Sequence, residues 1–174
     1  MKRPIVVFAC ALIVALLFSP LILAAGWHAL YGSHASYLGK TVRVPADWIV
    51  MPRKWKSSTD LTIMQLPRML LFDRSHNGFI SFYETLPRNH SFNEARSAWE
   101  RTMDIKRHMP GVTVVGPLSV GEPGQQSACV KITHSDSKDA MEISCLLFNG
   151  KWMASYIGSS REAEDFLDVV RSIQ

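Results

Sequence analysis

The sequence predicts an α+β domain: a mainly antiparallel β-sheet with two packed amphipathic helices, preceded by an N-terminal membrane segment. Three observations carry this. Short runs with period-two apolar alternation are separated by turn residues at hairpin spacing. Two later stretches repeat apolar residues at intervals of three and four. From Pro4 to Gly39 there is not one Asp, Glu, Lys or Arg. A chain of 174 residues, 47% hydrophobic and 20% charged, with a mean hydropathy of +0.04, is neither a disordered polymer nor a multi-span membrane protein, and its length suits one folded domain. The division expected is 1–26 as signal anchor or signal peptide, 27–40 as linker and 41–174 as a single α+β domain.

Residues Ile5 to Ala25 are almost wholly apolar. At about 1.5 Å of rise per residue such a run can cross a hydrocarbon core of roughly 30 Å, and Lys2 and Arg3 would hold the N-terminus in the cytoplasm. The alternative is a cleaved leader, with Ile5 to Phe18 as its apolar region, Pro20 as the break and Ala24-Ala25-Gly26 as the small-residue site. Either way the body lies outside the cytoplasm. Cys10 is followed by more than a dozen apolar residues, the wrong order for a lipidated cysteine, so it reads as a membrane-buried thiol. Trp27, His28, Tyr31 and Tyr37 follow as candidate headgroup anchors or as plain linker residues.

In the body, Val42 and Val44 alternate with Thr41 and Arg43, and Pro45-Ala46-Asp47-Trp48 leads to Ile49–Met51, a strand pair or one bent strand. Further strands are expected at Leu61–Leu66, Met69–Phe72, Phe79–Tyr83, Val112–Val115, Ala128–Thr133, Ile143–Phe148 and Trp152–Ile157. Asn77-Gly78, Ser135-Asp136-Ser137 and Asn149-Gly150 supply turns. The first helix opens on a capping box, Ser91 with Glu94, carries Phe92, Ala95, Trp99, Thr102, Met103 and Lys106 on one face, and ends at Met109-Pro110-Gly111. Ser159 with Glu162 predicts a second box, followed by Ala163, Phe166, Leu167, Val170 and Ile173. Both apolar stripes read as core.

The Val44-Pro45-Ala46-Asp47-Trp48 step, the Asn77-Gly78 hairpin, the helix bearing Trp99, the strands around Phe148-Asn149-Gly150-Lys151-Trp152 and the closing helix together resemble the PsbP-like α/β/α sandwich over about residues 37–174. The resemblance implies an exported, membrane-associated accessory protein or binding module. It implies no catalytic residue.

Chemistry is sparse. The net charge is +4, from 19 basic and 15 acidic residues; without Lys2 and Arg3 it is 17 against 15, or +2, too small a surplus for a nucleic-acid partner. Gly39-Lys40-Thr41 lacks the earlier glycine of a phosphate loop and leads into a strand. Six histidines, His28, His34, His76, His90, His108 and His134, stand singly, with no H-x-x-x-H pair and no G-x-S-x-G. Arg53-Lys54-Trp55-Lys56 is a small basic patch able to meet anionic headgroups but more simply solvated. Asn89-His90-Ser91 is a glycosylation sequon whose serine is already the helix cap.

The sharpest string is Asp73 to Glu84. It resembles an EF-hand loop, with Asp73, Ser75, Asn77, Ser81 and Glu84 as side-chain ligands, Phe79 through its carbonyl, and Gly78 at the sharp turn. Pro67 and Pro87 oppose the flanking helices, and two carboxylates support only weak affinity, on the order of 10⁻⁴ to 10⁻³ M. The preferred reading is a metal-free hairpin, Met69–Phe72 against Phe79–Tyr83.

An oxidising compartment could join Cys129 to Cys145. Alternation puts Cys129 opposite in face to Val130 and Ile132, whereas Cys145 shares a face with Ile143 and Leu147. If both apolar rows face one core, the sulfurs lie on opposite sides and no bond forms. The functional expectation is therefore an exported or membrane-anchored accessory or binding module. It has no recognisable catalytic site and no cofactor, and it meets the membrane through residues 5–25 and an unidentified protein partner. A weak calcium-binding domain is the second reading and a hydrolase with a dispersed site the third.

Overall fold

The fold was obtained as a computed structural model, which describes residues 3–17, 19–51, 61–66, 78–85, 91–118, 127–148 and 151–173. The apolar N-terminus is helical but broken. Helix α1 (Arg3–Leu17) and helix α2 (Ser19–Tyr31) meet at a bend of 60°. Pro20, second in α2, has no N–H to continue the ladder from α1 but suits a helix's first turn. The single 21-residue span expected over Ile5 to Ala25 is thus replaced by a bent pair. Among the described residues no single helix is long and apolar enough to cross a membrane, whereas the two together pass by length and composition.

The segment expected as linker is built into the body. After α2 come strands β1 (His34–Tyr37) and β2 (Lys40–Arg43), paired antiparallel in a two-stranded sheet of their own. Of the four expected interfacial rings only Tyr31 is exposed, at 67%. Tyr37 is buried against Trp152, with ring centroids 5.0 Å apart, and Trp27 packs on the main core. The His28 ring lies among carbonyls: Nε2 is 2.9 Å from Pro45 O and 3.1 Å from Trp48 O, and Nδ1 is 3.0 Å from Gly32 O. The end of α2 is thereby tied to the Pro45–Trp48 turn.

Strands β3 (Trp48–Val50), β4 (Leu61–Gln65), β5 (Phe79–Glu84), β6 (Val112–Leu118), β7 (Ala128–His134), β8 (Ser137–Leu147) and β9 (Trp152–Ser159) form one antiparallel sheet in the order β3-β4-β5-β9-β8-β7-β6. The antiparallel α+β reading holds. The expected partnership of residues 41–44 with 49–51 does not, because β2 and β3 belong to different sheets. The expected hairpin partner of Phe79–Tyr83, Met69–Phe72, lies outside the described residues. β4 occupies one edge of β5 over Phe79–Phe82 and β9 the other over Phe79–Glu84.

Helix α3 (Phe92–Arg107) carries the chain from central β5 to edge strand β6, and the β6–β9 meander returns beside β5. Its capping box forms as predicted: Glu94 N donates to Ser91 Oγ and Ser91 N donates to a Glu94 carboxylate oxygen at 2.8 Å. Ala95, Trp99 and Met103 are buried, but Thr102 faces out and donates to Ala98 O. Helix α4 (Ala163–Arg171) starts later than predicted. Ser159 is still in the β9 ladder opposite Ala140, so Glu162 occupies the N-cap position and no side-chain box forms. Strand pairing outcompeted the local signal.

The sheet buries both faces. On one, α4 packs Phe166, Leu167, Val169 and Val170 onto Ile143, Cys145, Ala154 and Tyr156, with Trp48 and the β1–β2 hairpin closing the flank. On the other, α3 packs Trp99 and Met103 onto Val130, Ile132 and Leu146. This corrects the cysteine expectation. Val130 and Ile132 face α3 while Ile143 and Leu147 face α4, so the apolar rows belong to two cores and both sulfurs lie on the α4 side. Register places Cys129 directly across from Cys145, both are fully buried, and they form a disulfide.

Candidate functional site

The α3 face is where the sheet stays partly open. A cleft of about 600 Å³ runs between the flank of α3 and strands β6 and β7. Its floor is apolar: Trp99, Met103 and Val130 are 8%, 4% and 5% exposed, with Ala128, Gly116 and Pro117 continuing it. The rim comes from the helix, which contributes Arg96, Ser97, Glu100, Arg101, Asp104 and Arg107.

Each part has a local cause. Arg96 and Arg107 are eleven residues apart, three helical turns, so they fall in one row beside the buried Ala95-Trp99-Met103 stripe. Trp99 is held by its own polar end: Nε1 donates to Ser144 Oγ at 3.0 Å in a buried bond. Lys106 Nζ donates to Glu142 Oε2 at 2.7 Å, fixing the last turn of α3 over β8. On the opposite wall the β6–β7 register shifts between Val115 and Leu118, so Gly116-Pro117 is an irregular step on an edge strand, where proline is tolerated. A Cβ on Gly116 would meet Val130 Cγ1 at 2.9 Å and Cys129 O at 3.1 Å; only glycine lets the chain lie this close to β7.

The cleft carries a positive surplus. Among the described lining residues, three arginines face two carboxylates. Arg96 Nε donates to Glu100 Oε1 at 2.8 Å across an exposed turn, which neutralises that pair. Arg101 and Arg107 have no ion-pair partner among the described residues, and Asp104 is the remaining acid. The arrangement can bury an apolar group on the floor and hold an anion at the lip.

Only half of the sequence-predicted metal ligands fall among the described residues. Asp73, Ser75 and Asn77 lie outside the described residues. Phe79, Ser81 and Glu84 lie in extended strand β5, where side chains alternate in face, so Ser81 and Glu84 point to opposite sides of the sheet. An EF-hand loop instead curls both toward one ion and enters a helix. No group of three or more His, Cys, Asp or Glu fit to hold a metal ion occurs among the described residues. The one Ser–His contact there, Ser33 Oγ to His34 Nδ1 at 3.1 Å, is exposed between chain neighbours, and no described carboxylate is bonded to it.

Ser81 instead belongs to a row of hydroxyls across the sheet. Thr62 pairs with Ser81, Ser81 with Ser155, and Ser155 with Ser144, the residue that receives the Trp99 bond. Neither this row nor the cleft arginines were singled out from the sequence. The signal for Arg96 and Arg107 was present, as cations repeating at three turns on one flank of an apolar stripe, but such a pattern equally marks a solvated helix face. Tyr156, across the sheet in the α4 core, is no acid–base group at neutral pH. Burial, then the charges of Glu162 and Asp165, push its phenol far above the ordinary tyrosine value, and its hydroxyl donates to Ser159 O at 2.7 Å. No protein-family model and no curated protein matches the chain.

Proposed function

We propose that this protein is a membrane-anchored binding module whose body works outside the cytoplasm and whose ligand occupies the α3–β6 cleft. The observation that carries the reading is the cleft itself, an apolar floor beneath a cationic rim, of a volume typical of small-ligand sites. Two further observations support the placement. A buried disulfide between β7 and β8 belongs to an oxidising compartment. Ala24, at the small-residue site where a leader would be cut, is 2% exposed, and the next turn of α2 is bonded to the body through His28, which favours a retained α2 over a cleaved one. The accessory role is the one that the PsbP-like resemblance of the sequence implies.

The test uses the full chain in its own membranes. Alkaline extraction should leave it in the membrane pellet, protease added to spheroplasts should digest the body, and thiol counting on denatured, unreduced protein should give one free thiol, Cys10. Native mass spectrometry of the chain in lipid nanodiscs should then find a small bound molecule that is lost in Ser97→Trp, which fills the cleft from its exposed rim. A body protected on the cytoplasmic side, or three free thiols, overturns the placement; an empty cleft in the unmodified chain overturns the binding role.

A further inference from the structure

Resting on that reading, we infer that the cleft is selective for a singly charged anionic amphiphile, one aliphatic chain ending in a carboxylate or comparable anion. Arg107 and Arg101 would hold the head and Trp99, Met103 and Val130 the chain. The argument is one of charge and shape. The floor's side chains are apolar, and the one polar group they carry, the Trp99 indole N–H, is already spent on Ser144, so a polar ligand would find no side-chain partner there. An apolar tail loses nothing and gains burial.

The rim sets the sign and number of charges on the head. Arg96 is matched by Glu100. Among the remaining charged lining residues that are described, Arg101 and Arg107 against Asp104, one positive charge is uncompensated. A monoanion completes that balance, whereas a cation would be repelled. Arg107 lies in the row nearest the floor, one turn beyond Met103, and Arg101 on the outer lip, so a head between them leaves its tail directed along the Trp99-Met103 stripe. Guanidinium groups suit this role because their donors meet both oxygens of a carboxylate. An edge strand beside the cleft could also attract an extended peptide, but Pro117 removes a backbone donor there and the volume is that of a small molecule.

The experiment follows the Trp99 indole N–H resonance, assigned with Trp99→Phe, in the full chain in nanodiscs, with empty nanodiscs as the partitioning control. Three probes share one chain length: octanoate, octanol and octyltrimethylammonium. The expected result is a saturable shift with octanoate, binding at least about tenfold weaker for octanol, the size of one charge-assisted hydrogen bond, and none for the cation. The variant Arg101→Gln/Arg107→Gln should bind octanoate no better than octanol while keeping its octanol affinity. Equal binding of octanoate and octanol to the unmodified chain, or undiminished octanoate binding by the variant, overturns the anion selectivity while leaving the cleft as a binding site. Failure of every probe to move the Trp99 resonance overturns the cleft reading as well.

Discussion

The two faces of the sheet are built differently from the same strands. The α4 face is closed by large side chains that interlock: Tyr156 stacks on Phe166 with ring centroids 5.7 Å apart, and Trp152 meets Tyr37, Phe82 and Phe148 edge-on. It holds the disulfide and the hairpin that follows α2. The α3 face has five buried core residues, Trp99, Met103, Val130, Ile132 and Leu146. Its helix is positioned by two polar ties, Trp99 to Ser144 and Lys106 to Glu142. A helix held by apolar burial alone settles wherever contact is greatest and leaves no gap; one held by directed bonds can stand off the sheet beside a cleft. On this comparison the α4 face supplies stability and the α3 face supplies a surface for something else.

The largest effect should come from Phe166→Ala, which removes a fully buried ring from the stacked pair. A loss of about 3 to 5 kcal/mol is expected in denaturant unfolding. A loss below about 1 kcal/mol would break the comparison at its stronger end. Replacing Cys129 and Cys145 together by Ala, which leaves no stray thiol, should cost about 3 kcal/mol, because the bond closes a short loop of 16 residues' separation in the unfolded chain. Unchanged midpoints with and without reductant in the unmodified protein would contradict this.

Gly158→Ala probes the same core from its edge. The added Cβ meets the Tyr156 hydroxyl and lies 2.9 Å from Gly78 Cα, so backbone must shift and a cost of roughly 1 to 3 kcal/mol is expected. On the α3 face, Trp99→Phe should cost less, about 1 kcal/mol, by leaving the buried Ser144 hydroxyl without its donor. Ser144→Ala in the same background should recover part of that, and a larger loss from the double variant would mean the tie is more than one hydrogen bond. Smallest of all, Arg101→Gln/Arg107→Gln should move the midpoint by no more than about 0.5 kcal/mol, since neither cation has an ion-pair partner among the described residues. A marked destabilisation would make the rim structural and erase the contrast between the faces.

Much of this architecture was written locally in the chain. Among the described residues, the period-two runs from Leu61 to Ile157 appear as strands, most of them within a residue or two; β6 runs on to Leu118 and β8 starts earlier, at Ser137. The Ser91–Glu94 box caps α3 because its bonds need nothing beyond four consecutive residues. The same signal at Ser159 and Glu162 failed because β8 offered Ser159 a ladder, a partner from outside the local window. The expected single span is a bent pair for a local reason: Pro20 interrupts a helix whatever the hydropathy around it.

Most of the elements and their class were legible in the chain, because periodicity, caps and turns are properties of neighbouring residues. The tertiary structure decided which residues meet across distance. Alternation along β7 and β8 told which side chains share a face but not that each face has its own helix, and on that point the pairing of Cys129 with Cys145 turned. The Asp73–Glu84 string carries EF-hand ligands in the right order, yet between β4 and β9 its second half is strand, where Ser81 and Glu84 fall on opposite faces. The cleft exists only because α3 runs out to an edge strand whose Gly116 lies against β7, bringing Arg107 alongside a floor that includes Val130. No window of sequence contains both, and only the packing of helix on sheet puts a cation beside that carbon floor.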